Sequence, residues 1–224
     1  MTDTYKTGVS RFKAINFDLL TALIDSWSLW VKVAGDENLG RQWRRASLKL
    51  VTSQGAYRRY EDIVSEAANQ VGVTSSQVRE LFDRWLAGEL KPWPEVRQVL
   101  AQLADHRWST AVVTNCSQPL AEAAAAATGH NFDAIISAER AGVYKTDPRA
   151  YRAGVAAVGE FDPSMVLFVA GSAHDVPGAT AIGMPVYWSN RHAEVLIDSE
   201  PSPFFNEPNL LKLPGLLMSD PNKI

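Results

Sequence analysis

The chain has a single cysteine, Cys116. An internal disulfide framework and a multi-cysteine zinc site are therefore excluded, and a lone thiol fits a reducing cytoplasm. Charge of one sign is also scarce: 22 Lys and Arg against 25 Asp and Glu leave a formal net charge of −3. A balance that small supplies no field to hold nucleic acid or an anionic membrane surface. No apolar run approaches the ~20 residues that span a bilayer, and the opening MTDTYKTGVSRFK lacks the apolar centre of a signal peptide. There is no G-x-G-x-x-G and no G-K-[ST], so a nucleotide loop is not expected. No internal repeat is visible. What remains is 224 residues, 46% hydrophobic and 21% charged. That is the size and mix of one ordinary globular domain, or of a domain with a smaller one inserted. A cytoplasmic protein is expected.

The hydrophobic period changes along the chain. Residues 13–19 form a short apolar run with Ile15 and Phe17 that ends at Asp18, a pattern that predicts a buried strand. From about 25 to 91 the spacing is helical throughout. Leu39, Trp43, Ser47 and Leu50 mark one helix face, and Ile63, Ala67 and Val71 another. Ser75 and Ser76 read as the cap of a further helix carrying Val78, Leu81, Phe82 and Leu86. The PWPEV run at 92–96 is a boundary, because its prolines stop one element and start the next. After it, strands are predicted at 110–115, 132–138, 165–172 and 185–190, the last of them closing the sheet. Helices are predicted between them at 121–129, 147–159 and 175–184. Alternating strands and helices mean a doubly wound, mostly parallel α/β sheet. The expected organisation is a core from residues 1–25 and 92–224, with an all-helical cap, 26–91, inserted after the first strand.

In such sheets ligands bind at the carboxyl ends of the strands. Polar residues collect there: Asp18, Thr114 and Asn115, Lys145, and Gly171–Ser172 with Asp175 just beyond. Asp18 alone reads equally as a loop or helix-capping carboxylate. A lysine beside it changes the reading, since the cation can keep the carboxylate ionised for attack.

Set in order, Phe17–Asp18–Leu19, the VVTN run ending at Asn115, VYKTDPRAY around Lys145, and FVAGSAHD ending at Asp175 resemble the four motifs of the haloacid dehalogenase superfamily. The resemblance is strongest to the L-2-haloacid dehalogenase branch and covers most of the chain. It implies a Rossmann-like core, a helical cap, no metal and no cofactor. It also implies displacement at C2 of a small carboxylic acid through an aspartyl ester. Asp18 resembles the nucleophile, Lys145 its lysine partner and Asp175 the carboxylate that orients water. Thr114 and Asn115 take the place of a pair that binds the substrate carboxylate. Tyr151 matches the tyrosine six residues after the lysine. In the cap, Trp43–Arg44 resembles a Trp-Arg pair whose arginine receives the halide, so Arg44 is the expected leaving-group clamp. Leu19, Trp43, Tyr151 and Ser172 complete the expected substrate contacts. Members are often dimers, and exposed apolar residues of the cap and of LLKLPGLLM (210–218) fit a homodimer.

The departures are as telling. The superfamily's Mg²⁺-dependent phosphatases carry a second Asp where this chain has Leu20, and another where it reads Ala170–Gly171–Ser172. A leaving alkoxide needs a general acid, and Leu20 cannot be one. Halide departs as a stable anion and needs none. Against the dehalogenases, Ala22 stands where a threonine is usual and Thr21 comes one residue early. Ala170 and Ser172 replace a serine and an asparagine. These changes leave other readings open: a ring-opening hydrolase of the azetidine-2-carboxylate type, a Mg²⁺ phosphatase, or a binding protein that kept the fold. His174 reads as a helix-start residue behind the site, and Cys116 as a buried structural thiol.

Overall fold

The computed structural model describes residues 11–106, 108–197 and 201–218. Residues 1–10, which carry most of the signal-peptide reading, lie outside them. Strand β1 (Ala14–Phe17) runs straight into Asp18. After a turn come β2 (Ile24–Asp25) and four helices: α1 (Ser26–Ala34), α2 (Glu37–Thr52), α3 (Tyr60–Val71) and α4 (Ser75–Leu86). Then follow β3 (Lys91–Pro92), α5 (Val96–Asp105), β4 (Ser109–Thr114), α6 (Gln118–Ala127) and β5 (Ala134–Ser137). The chain continues with α7 (Ala138–Ala141), α8 (Pro148–Val158), β6 (Val166–Ala170), α9 (Asp175–Thr180), β7 (Val186–Ser189), β8 (Phe205–Glu207) and α10 (Leu213–Met218).

Six strands form one sheet in the order β5-β4-β1-β6-β7-β8, and every pairing in it is parallel. β1 lies between β4 and β6 and is buried along its whole length. That is why its sequence shows an unbroken apolar run rather than alternation. The chain leaves β1 toward β4 and β5, then returns to its other side with β6. The carboxyl ends of β1, β4 and β6 therefore flank the switch in strand order, where side chains from three strands converge.

Four predicted details differ. β7 is not the last strand, because β8 adds to the sheet beside it through Tyr187 opposite Phe205. Its three residues, FNE, carry no apolar run that periodicity could detect. The stretch 25–91 is helical but bounded by a two-residue antiparallel ladder, Ile24 with Pro92 and Asp25 with Lys91, which brings its ends together. The cap of α4 is Thr74 rather than the serines: its hydroxyl accepts from Gln77 N at 3.3 Å, and Gln77 Oε1 accepts from Thr74 N at 3.0 Å. Finally, much of the 210–218 segment is not exposed. Leu210, Leu213 and Leu217 belong to the main core, and Leu211 and Met218 are exposed.

Within the helical stretch, Trp43 and Trp30 pack with ring centroids 4.5 Å apart, and Trp43 Nε1 donates to Val64 O at 3.0 Å. Trp85 Nε1 donates to Leu120 O at 2.9 Å, tying α4 to α6. These two indole bonds help fix how α2 sits against α3 and α4 against α6. No helix among the described residues is long and apolar enough to cross a membrane.

Candidate active site

The strand ends bring together what the sequence scattered over 157 positions from Asp18 to Asp175. Lys145 Nζ donates to Asp18 Oδ1 at 2.8 Å and to Asp175 Oδ2 at 3.1 Å, with all three residues buried. Asp18 Oδ2 accepts three further bonds: Thr21 N at 3.0 Å, Thr21 Oγ1 at 2.5 Å and Ala22 N at 3.1 Å. The early threonine thus still reaches the carboxylate, because the turn after β1 curls Thr21 back over it. Asp175 Oδ1 accepts from the Tyr151 hydroxyl at 2.8 Å.

Environment separates the two carboxylates. Burial pushes Asp18 up, but Lys145, the Thr21 hydroxyl and the Ala22 N–H outweigh it and hold the group below the usual range. For Asp175, burial wins over Lys145 and Tyr151, aided by the neighbouring Asp18 charge, and its carboxyl rises. Burial depresses Lys145, yet Asp175 and Asp18 together raise it above the ordinary lysine value. One carboxylate held ionised beside one with higher proton affinity is the division of labour that nucleophile and base require.

Close packing builds the site. A Cβ on Gly171 would lie 2.2 Å from Ala22 N, so only glycine lets the end of β6 approach the Asp18 turn. A Cβ on Gly178 would lie 2.5 Å from the Tyr151 hydroxyl, so α9 owes Tyr151 its access to Asp175 to that glycine.

A small cavity opens over the triad. Asp18, Lys145, Asp175, Arg44, Thr114, Asn115 and Ser172, all expected at the site, line it. Three expected substrate contacts do not line it. Successive residues of a helix point about 100° apart: Trp43 turns into the packing of α1–α3, and Arg44 beside it turns to the cavity. Leu19 is buried in the main core. Tyr151 stands behind Asp175 as its hydrogen-bond donor. Asn115 lines the cavity, but its amide grips the backbone of Lys145, donating to Lys145 O at 2.9 Å and accepting from Lys145 N at 2.7 Å. Residues not anticipated also line it: Thr21, Leu48, Val51, Thr52, Tyr60 and Thr146. His174 takes the capping position of α9 and lies exposed at the cavity. Cys116 is buried, and burial pushes its thiol up, away from a reactive thiolate.

A sequence profile of haloacid dehalogenase-like hydrolases matches residues 13–183. The chain belongs to that family. Among curated relatives of this hydrolase is haloacetate dehalogenase H-2 of Moraxella sp. (strain B), 29% identical over 89% of this chain and 95% of the relative. Another is the (S)-2-haloacid dehalogenase of Pseudomonas sp. (strain YL), 30% identical over 85% of this chain and 88% of the relative. The fold is shared with the L-2-haloacid dehalogenase of Xanthobacter autotrophicus, solved with chloropropionic acid covalently bound. That structure has a TM-score of 0.81 at 24% identity, covering 92% of this chain and 98% of the other.

Proposed function

We propose that this hydrolase displaces a leaving group at C2 of a small carboxylic acid through a covalent ester of Asp18, in the manner of a 2-haloacid dehalogenase. The observation that carries the reading is the asymmetry of Asp18. Among the described residues its Oδ2 takes three donors and its Oδ1 only Lys145, so Oδ1 keeps a lone pair for attack. Oδ1 bonds to C2, the C2–leaving-group bond breaks, and its electron pair departs with the leaving anion. Water then attacks Cγ of the ester and gives its proton to Asp175, the carboxylate with raised proton affinity. Charge developing on Oδ2 meets the Thr21 N–H, Ala22 N–H and Thr21 hydroxyl already in place. Collapse breaks the Cγ–Oδ1 bond, the departing alkoxide oxygen takes that proton back from Asp175 to give the 2-hydroxy acid, and the remaining proton of the attacking water passes to solvent, restoring Asp18 as a carboxylate. The cavity volume of ≈ 40 Å³ is that of about three waters, which suits an acid of two or three carbons. Asn115 holds Lys145 in this scheme, leaving Thr114 and Ser172 to meet substrate and water.

The residues do not suit Mg²⁺. Leu20 offers no ligand, Gly171 has no side chain, and Lys145 already bridges the two carboxylates. Among the described residues no three His, Cys, Asp or Glu are grouped to hold an ion. Turnover of a 2-haloacid is therefore expected to be unchanged by excess EDTA, and p-nitrophenyl phosphate to be a negligible substrate with or without Mg²⁺. A Mg²⁺-dependent phosphatase rate would reverse the assignment. Azetidine-2-carboxylate belongs in the same screen.

In this proposal residues 26–91 act as a cap, whose contribution to the chemistry is Arg44. Arg44 is 3% exposed, and among the described residues it forms no ion pair. Arg41 is paired with Glu37 at 3.0 Å on the outer surface, and Arg45 is exposed. Asp18, Asp175 and Lys145 sum to one negative charge, so Arg44 supplies the cation a departing anion needs. Alanine at Arg44 should lower kcat/KM about 10²-fold, roughly 3 kcal/mol, while alanine at Arg41 or Arg45 leaves it within twofold (roughly, as for an exposed group). Equal losses at all three positions would remove Arg44 from this role.

A further inference from the structure

The wall of the cavity includes a residue whose polar group the scheme above leaves idle. Tyr60, the first residue of α3, is 1% exposed and lines the cavity. Its hydroxyl is buried and has no hydrogen-bond partner among the described residues. Arg44 Nε, in the same cavity wall, is likewise buried and unpartnered. The Arg44 guanidinium lies 5.3 Å from the Trp30 ring centroid and 5.6 Å from that of Trp27, so rings rather than acceptors face it. Leu20, Leu48 and Val51 give this wall its apolar surface, and the Thr52 hydroxyl beside them is already committed to Leu48 O at 3.0 Å. A buried hydroxyl without a partner is a cost to the fold. Two donors left without acceptors beside one cavity match a ligand that brings acceptor capacity and negative charge.

We propose that Tyr60 Oη joins Arg44 in a leaving-group subsite and donates a hydrogen bond to the anion as it departs, so that Tyr60 sets leaving-group preference. The inference rests on the displacement reading given above. Its step needs no proton transfer: the C2–halogen bonding pair leaves with the halide, the new bond is Asp18 Oδ1–C2, and Tyr60 keeps its hydrogen. Burial pushes the Tyr60 phenol up, and the pull of Arg44 the other way does not overcome it, so the group stays a donor at neutral pH. A hydrogen bond to a halide strengthens as the ion becomes smaller and its charge denser, because the attraction grows at shorter distance. Tyr60 should therefore matter more for chloride than for bromide.

The test compares the unaltered protein with Tyr60→Phe in two assays. The first titrates sodium chloride and sodium bromide at constant ionic strength against tryptophan fluorescence, with Trp27 and Trp30 beside Arg44 as reporters. The second measures kcat/KM on chloroacetate and bromoacetate. The phenylalanine variant should bind chloride about tenfold more weakly and bromide less affected, the scale of one hydrogen bond to a charged group. Its bromide-to-chloride preference in kcat/KM should rise by a few fold. Its Tm should be unchanged or higher, since no bond of the folded protein is lost. Unaltered halide affinities together with an unaltered bromoacetate-to-chloroacetate ratio would overturn the role of Tyr60, as would an unaltered protein that binds no halide and shows that same ratio in both forms. Should the unaltered protein turn over neither acid yet lose chloride affinity on substitution, the anion subsite stands and the displacement reading falls. Turnover of both acids with no change on substitution gives the converse.

Discussion

Asp18→Asn is expected to abolish turnover, lowering kcat by on the order of 10⁴ or more, the scale of removing a nucleophile. Asparagine matches aspartate in shape, and its carbonyl can still accept the Thr21 and Ala22 N–H bonds that meet Oδ2. Lys145 keeps Asp175 as a partner. The circular dichroism spectrum should therefore be unchanged while the amide, a poor nucleophile, stops the first step. The covalent route is checked in the unaltered enzyme by a single turnover in ¹⁸O-water with enzyme in excess. Water attacks Cγ, so the label should appear in the Asp18 carboxylate and not in the product. Label passing directly to product in the first turnover would mean that water attacks C2 and that Asp18 is not esterified.

The second large effect is expected at Lys145. Lys145→Met removes the cation that, among the described residues, alone bonds both buried carboxylates, with Asp18 and Asp175 then left side by side. Breaking a buried charge arrangement from one side costs ~3–5 kcal/mol of stability, and activity should fall steeply to a small residual rate. A pH profile separates the electrostatic role from simple loss of packing. In the unaltered enzyme the acid limb of kcat/KM, which reports the free enzyme, should reflect protonation of Asp175, which lies above the ordinary carboxylate range, with Asp18 still ionised when activity begins to fail. The alkaline limb should lie above the ordinary lysine value, where Lys145 loses its proton. Without the lysine both carboxylates lose the group that favoured their charged forms, so the acid limb of any residual rate should move upward. A thermal melt and a residual-rate profile measure both consequences. An acid limb that stays in place would show that Lys145 does not set these protonation states.

Much of this protein was legible before any coordinates. Strands buried on both faces, β1, β4 and β6, announce themselves as apolar runs because neither face meets water. The helix from Pro148 carries its own start in Asp147, whose side chain accepts from Arg149 N. Asp18, Lys145 and Asp175 could be singled out because charged residues at the ends of buried strands are costly unless they meet. Thr21 was within reach of the same logic, since a hydroxyl three residues after an aspartate can turn back to it. Short β8 had no such signal, because an edge strand of three residues has little apolar content to repeat.

What the sequence by itself determined was the core sheet, the helical insertion and the identity of the charged triad, all of which follow from local period and from the cost of burying charge. The tertiary structure alone decided which side chains share the cavity. Trp43 and Arg44 are neighbours in sequence, yet helix rotation and the packing of α2 on α1 and α3 send one into the interior and the other to the site. Tyr151, read as a substrate contact, stands behind Asp175 as its hydrogen-bond donor, and Asn115, read the same way, lines the cavity while its amide also holds the backbone of Lys145, because the packing of α9 on α8 and the loop before Lys145 bring these groups to hydrogen-bond distance. Tyr60 looked like any residue at the start of an amphipathic helix. Only the packing of α3 against α2 brings Tyr60, whose buried hydroxyl has no partner among the described residues, to the wall of the same cavity as Arg44, and no one-dimensional period records a distance between elements.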